Sequence, residues 1–169
     1  MDPEPSKLFS FHGACMRREA LRVASKRVIL TNGCFDLLHP GHVFSLECAR
    51  KFGDSLWVAM NSDAGVRALK GNGRPIFNER MRAYMLSSLG AVDGIFAFDG
   101  IRMSVEILGF KPDVYVKSGD YTMEKLDTGE RNALESVGAE IVFVPFLSGF
   151  STTSTIERLF NSGEKRSNG

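Results

Sequence analysis

Five short apolar runs built from strand-forming residues punctuate the chain. They are RVILT (27–31), SLWVAMN (55–61), GIFAF (94–98), DVYVK (113–117) and EIVFVPF (140–146). None shows the strict polar alternation of a strand with one wet face. Near-continuous apolar character bounded by Gly, Asp or Asn suits strands covered on both sides. Between the runs lie helical patterns at 42–53, 78–90, 104–109 and 129–138, and another spans 14–25. Gly53, Gly90, Gly109 and Gly138 fall where helix-terminating glycines belong. Strands alternating with helices predict a Rossmann-like, doubly wound α/β sheet of about five parallel strands with helices on both faces. Such sheets bind ligands outside the carboxyl ends of their strands. The segments to search are therefore 31–42, 61–65, 98–101, 117–122 and 145–155.

The pattern reads as a single domain over 1–169, with its core at about 27–160. The polar, Pro-containing stretch 1–12 and the small, charged stretch 161–169 are expected to be tails. The 21 basic and 20 acidic residues leave a formal charge of +1, which provides no field for steering toward nucleic acid or an anionic membrane. Any anion must be recognised locally. Cys15, Cys34 and Cys48 are odd in number and lack zinc-type spacing, so a reducing environment is expected rather than a disulfide framework. The start of the chain lacks a signal-peptide pattern, and no apolar run approaches the roughly 20 residues needed to cross a bilayer. The expectation is a cytoplasmic protein with no membrane partner.

The segment after the first run, TNGCFDLLHPGH (31–42), holds two of the three histidines. Gly33 permits a tight turn, Pro40 presets the backbone at a helix entrance, and Asp36 is a capping candidate. His39 and His42 are three apart and can share a face over a helix N-terminus, forming a donor array suited to phosphate oxygens. Other chemistries also use such residues. A zinc site would need a third ligand, with only His12 left to supply it. Structural hydrogen bonding and a Cys34 nucleophile stay open on the residues alone.

GCFDLLHPGH resembles the signature of the cytidylyltransferase-like nucleotidyltransferases, with His39, Gly41 and His42 at the defining positions. The resemblance implies that both histidines contact a nucleoside triphosphate. A second marker is GFSTT (149–153), where Ser151, Thr152 and Thr153 match an S-T-T element at the last strand's end. On composition alone that cluster is equally a loop or a helix cap.

The middle segments narrow the resemblance. NSDAGVRALKGNGRPI (61–76) sets Lys70 near Arg74 in a glycine-containing loop able to close over a polyphosphate. NERMRAYML places Arg80 in a helix's first turn, where a cation invites an anion. VKSGDY (116–121) offers Lys117 for a phosphate and Asp120 for a sugar hydroxyl. Together with TNGCFDLLHPGH these segments resemble the adenylyltransferases that act on glycero-manno-heptose 1-phosphate. Ser118 stands where that group has Gly, and Phe150 precedes the S-T-T. Phe146 replaces the arginine of the related CTP-dependent glycerol-3-phosphate and phosphoethanolamine enzymes, which also carry Trp at the Tyr121 position. Those enzymes, the flavin mononucleotide adenylyltransferases and a non-catalytic nucleotide binder are the alternatives.

The resemblance implies transfer of AMP from ATP to a sugar 1-phosphate, with Mg²⁺ carried mainly by phosphates rather than by protein ligands. It implies catalytic roles for His39, His42 and Lys70. Nucleotide contacts would come from Asn32, Gly33, Cys34, Phe35, Gly41, Asn61, Asp63, Ser151, Thr152 and Thr153. Asp36, Arg74, Arg80, Lys117 and Asp120 would address the sugar phosphate. Related enzymes are often dimers, so a homodimer is a further expectation.

Overall fold

The computed structural model describes residues 4–119, 121–145 and 147. Its elements, in chain order, are β1 (Leu8–Phe9), α1 (Phe11–Val23), β2 (Val28–Gly33), α2 (Pro40–Arg50), β3 (Ser55–Asn61) and α3 (Asp63–Lys70). They continue with α4 (Glu79–Ser87), β4 (Gly94–Phe98), α5 (Ser104–Phe110), β5 (Val114–Ser118), α6 (Thr128–Ser136) and β6 (Glu140–Val144). All six strands are parallel, in the order β1-β4-β3-β2-β5-β6. From β2 the chain winds outward through β3 and β4, then returns to add β5 and β6 on the other side. The reversal lies between β2 and β5, where Leu30 pairs with Tyr115 and Thr31 with Val116.

Alternate residues of the buried strands feed two cores. Val28 and Leu30 join Trp57, Phe96, Phe110 and Leu134 under α1, α5 and α6, while Ile29 joins Leu56, Val58, Leu46 and Leu86 under α2 and α4. This is why the runs read as continuously apolar: each side chain has a helix above or below it.

Three expectations change. Residues 8–9 and 11–12 are not tail, and the helix expected over 14–25 runs from Phe11 to Val23: Leu8 and Phe9 pair with Ile95 and Phe96, and the Phe9 ring lies 5.2 Å from Trp57. Two strand residues among polar neighbours leave no pattern to read, and cross-strand pairing with β4 supplies what sequence period could not. Asp63–Lys70, expected as loop, is helical. Ser62 caps it by accepting from Gly65 N at 3.1 Å, and Val66 is buried. Gly109, expected beyond a helix end, lies inside α5. A Cβ there would come within 2.8 Å of the Phe11 ring, so the residue serves close approach of α1. Among the described residues no helix is long and apolar enough to cross a membrane.

Candidate active site at the sheet's switch point

The carboxyl end of β2 delivers Asn32 and Gly33 to the crevice between β2 and β5. Gly33 does not take the left-handed conformation expected of it; Phe35 does, at φ 48°. A Cβ at 33 would crowd the Phe35 ring at 3.0 Å and push it back by a few tenths of an ångström. That ring folds back against His42, 5.1 Å between centroids, and is largely buried. His39 is the N-cap residue of α2 in extended conformation, makes no side-chain cap bond, and is followed by Pro40 at the first helical position. Its carbonyl accepts from His42 N at 2.9 Å. The two imidazoles stack at 3.8 Å, with planes 20° apart. The expected shared face is therefore real.

Burial depresses the His42 pKa to about 4, with the neighbouring His39 and Lys70 charges adding to the effect. His39 is lowered for the same reasons, burial first and then Lys70. Both rings are therefore neutral near pH 7, and each presents an N–H donor and a lone pair rather than a fixed charge. Lys70 closes α3 close enough to bias both rings and makes no ion pair among the described residues. Gly71 and Gly73, both at positive φ, carry the chain onward from it. Burial raises the Cys34 thiol above its ordinary value, and Sγ donates to Asn61 Oδ1 at 3.6 Å. A raised pKa disfavours the thiolate that nucleophilic chemistry requires.

Several residues expected at the substrate have other employment. The Asp36 carboxylate is fully buried and accepts from Arg74 Nη1 at 2.5 Å and from the backbone N–H groups of Ile76 and Phe77 at 2.6 and 3.3 Å. It ties the 71–77 loop to the turn after β2, and Arg74 is its partner. Arg80 pairs with Glu4 on the outer side of α4. The guanidinium that reaches the strand ends belongs to Arg82, two residues on and 0% exposed. It donates to Cys34 O at 2.6 Å, Asn61 O at 2.8 Å, Phe77 O at 3.1 Å and Asp63 Oδ1 at 2.8 Å. Asp63 is thereby committed to Arg82, and Asn61 spans from Cys34 to Gly100 O. Arg82 shares its helix face with buried Leu86, four residues later, and that spacing was the available signal.

On the β5 side, Asn32 Oδ1 accepts from Lys117 Nζ at 2.8 Å and from the Tyr115 hydroxyl at 2.9 Å. Lys117 also lies 5.0 Å from the Tyr121 ring centroid, and burial lowers its pKa. Burial holds the Tyr115 phenol well above its ordinary value. Two cavities flank this end of β2. One, of 130 Å³, is bounded by Thr31, Phe35, His42, Ser45, Leu46 and Val116. The other, of 200 Å³, is bounded by Cys34, Asn61, Arg102, Lys117, Tyr121 and Glu130. Asn32, Gly33 and Ser118 border both.

The fold thus brings His42, Asn32, Gly33, Cys34, Phe35, Asn61 and Lys117 to the two cavities at the end of β2, with His39 stacked on His42, Lys70 close enough to bias both rings, and Gly41 buried in the first turn of α2. Asp120, Ser151, Thr152 and Thr153 lie outside the described residues. Among the described residues no three His, Cys, Asp or Glu side chains cluster as a metal site would require. His12, the third ligand that a zinc site needed, belongs to α1.

Residues 30–158 match the cytidylyltransferase-like family. The bifunctional protein HldE of Koribacter versatilis is 48% identical over 134 residues, covering 79% of this chain and 27% of that protein. HldE of Geobacter metallireducens is 40% identical over 157 residues, covering 93% of this chain and 32% of its own. The chain thus spans about a third or less of these relatives. A lipopolysaccharide core biosynthesis protein from Thermoplasma volcanium superposes with a TM-score of 0.58 at 28% identity, over 72% of this chain and 97% of that one. Pantoate-beta-alanine ligase from Francisella tularensis shares the fold at a TM-score of 0.56 and 12% identity, over 87% and 74% of the two chains. With two neutral imidazoles over a helix N-terminus at the switch point of a parallel sheet, and the family match covering most of its length, the chain belongs to the cytidylyltransferase-like family.

Proposed function

We propose that this protein is an adenylyltransferase that joins AMP from ATP to D-glycero-β-D-manno-heptose 1-phosphate, releasing pyrophosphate and forming ADP-heptose for lipopolysaccharide core synthesis. The observation that carries the reading is the stacked His39–His42 pair at the crevice between β2 and β5. The HldE relatives and the lipopolysaccharide core neighbour support the choice of acceptor.

The sugar phosphate oxygen attacks the α-phosphorus of ATP in line. A phosphate monoester is largely ionised at neutral pH, so the reaction needs position and charge neutralisation more than a strong base. His39 and His42 donate to the triphosphate and to the charge that develops on it, and the helix N-terminus beneath them adds its partial positive charge. An approaching anion raises the affinity of the rings for protons, so neutral imidazoles become better donors as the substrate binds. Lys70 supports the leaving phosphates from α3. Ser151, Thr152 and Thr153 are proposed to hold phosphate oxygens from the other end of the domain. Asn32 fixes Lys117 beside the 200 Å³ cavity, which receives the acceptor. Magnesium, held mainly by the phosphates when they bind, would supply charge neutralisation there. A cytoplasmic, homodimeric enzyme completes the proposal.

The test is pyrophosphate release from ATP, CTP or GTP offered with a panel of heptose, mannose and glucose 1-phosphates, glycerol 3-phosphate and flavin mononucleotide. The reading expects ATP with heptose 1-phosphate to be the preferred pair. Preference for CTP with glycerol 3-phosphate, or for flavin mononucleotide, contradicts it.

A further inference from the structure

The 200 Å³ cavity beside β5 contains a carboxylate that neither the phosphate chemistry nor the sequence motifs account for. Glu130 lies in the first turn of α6 and is 3% exposed, yet it borders this cavity together with Lys117, Arg102 and Tyr121. One of its oxygens, Oε1, accepts from Met103 N at 3.1 Å, which anchors the start of α5. The carboxylate makes no other hydrogen bond and no ion pair among the described residues. The other oxygen, at the cavity lining, has lone pairs available to a donor that enters there. The nearby cations make their hydrogen bonds and ion pairs with other groups, although the Glu130 charge reaches Lys117. Lys117 bonds Asn32 and Tyr115, and Arg102 pairs with Asp127 at 3.1 Å.

We propose that Glu130 is a specificity-determining residue that accepts hydrogen bonds from hydroxyl groups of the acceptor's polyol portion through its free oxygen. The inference rests on the function proposed above and names what reads the sugar within it. A carboxylate offers only acceptors, and sugar hydroxyls are donors that can satisfy it. An adenine edge offers a single amino group beside ring-nitrogen acceptors, whereas a polyol offers several hydroxyl donors. A second phosphate is repelled, so Glu130 selects a monophosphate whose remainder is neutral and hydroxylated. The acceptor's own phosphate then lies toward Lys117 and the histidine turn.

The experiment is steady-state pyrophosphate release by the whole chain with ATP and D-glycero-β-D-manno-heptose 1-phosphate, for the wild type, Glu130→Gln and Glu130→Ala. Glutamine keeps an oxygen for Met103 N, so its fold is expected to persist, with thermal melting as the control. A hydrogen bond to a charged group supports a rise in acceptor KM of about 10- to 100-fold in Glu130→Gln, with ATP KM within about twofold. An unchanged acceptor KM in a folded variant overturns the inference, as does a change confined to ATP KM, which would assign the cavity to the nucleobase. If the folded wild type releases no pyrophosphate with this acceptor, the proposed function falls, and the inference falls with it.

Discussion

The two edges of the sheet use charge in different ways. At the amino edge, cations and carboxylates are matched: Arg18 with Asp113, Lys26 with Asp54, Arg27 with Glu140 and Arg50 with Asp93. Three of those carboxylates also accept backbone N–H groups at strand starts, Asp54 from Arg27, Asp113 from Val28 and Asp93 from Leu56, at 2.7–2.8 Å. The carboxyl edge has two layers. Beneath, Asp36 with Arg74 and Arg82 with Asp63 are paired and buried like structural groups. Above them, His42, Lys117 and Glu130 border the two cavities, with His39 stacked on His42 and Lys70 close enough to bias both rings. The contrast suggests a rule for this fold: charges paired with opposite charges position the chain, and polar groups without an opposite charge bound to them are placed to address a ligand.

The strongest way to break the comparison is to remove a charge from the supporting layer. Arg82→Ala leaves three carbonyls and a carboxylate without their partner, and is expected to cost about 3–5 kcal/mol of stability by denaturant unfolding. A loss under 1 kcal/mol would remove Arg82 from the structural layer. In the exposed layer the effect should fall on catalysis. His42→Ala is expected to lower kcat by about 10²- to 10³-fold in the pyrophosphate assay while melting near the wild type. Near-normal turnover would reject the role of the pair.

Acidification separates the layers by another route. The folded pKa of His42, about 4, lies below the ordinary 6.5. As pH falls below 6.5 the unfolded chain takes up a proton that the folded chain refuses, so stability is lost. Between pH 6.5 and 5 the loss should be on the order of 2 kcal/mol, and His42→Asn should remove that portion of the slope. An identical pH profile in the variant would show that the ring is not held neutral by the fold. The smallest effect belongs to the amino edge's exposed pair: Arg27→Ala is expected to change stability by less than about 1 kcal/mol and to leave kcat/KM unaltered.

Legibility from sequence follows the same division. Strands β2 to β5 were readable because burial on both faces leaves an uninterrupted apolar record. β6 was readable because its half-buried edge run keeps the same strand formers, and the histidine turn because its residue types are rare together. β1 was hidden because two paired residues carry no period, and α3 because Gly65 and a short span weaken the helical signal. Among the charged residues, sequence distinguished poorly between support and site. Arg80 and Arg82 differ only by which helix face they occupy, and Asp36 and Asp63 resemble ligand contacts until their arginine partners are located. Glu130 carries no local mark, since its significance comes from the cavity that α6 and β5 enclose.

The central claim is that the paired imidazoles receive the nucleotide's phosphates, and the chain contains its own control. Imidazole NMR titration of the three histidines, with and without ATP, follows His39 and His42 at the crevice and His12 on α1 in one sample. The account predicts that saturating ATP raises the His42 pKa well above about 4, shifts His39 with it, and leaves His12 unmoved. Bound ATP with all three titrations unchanged would contradict it.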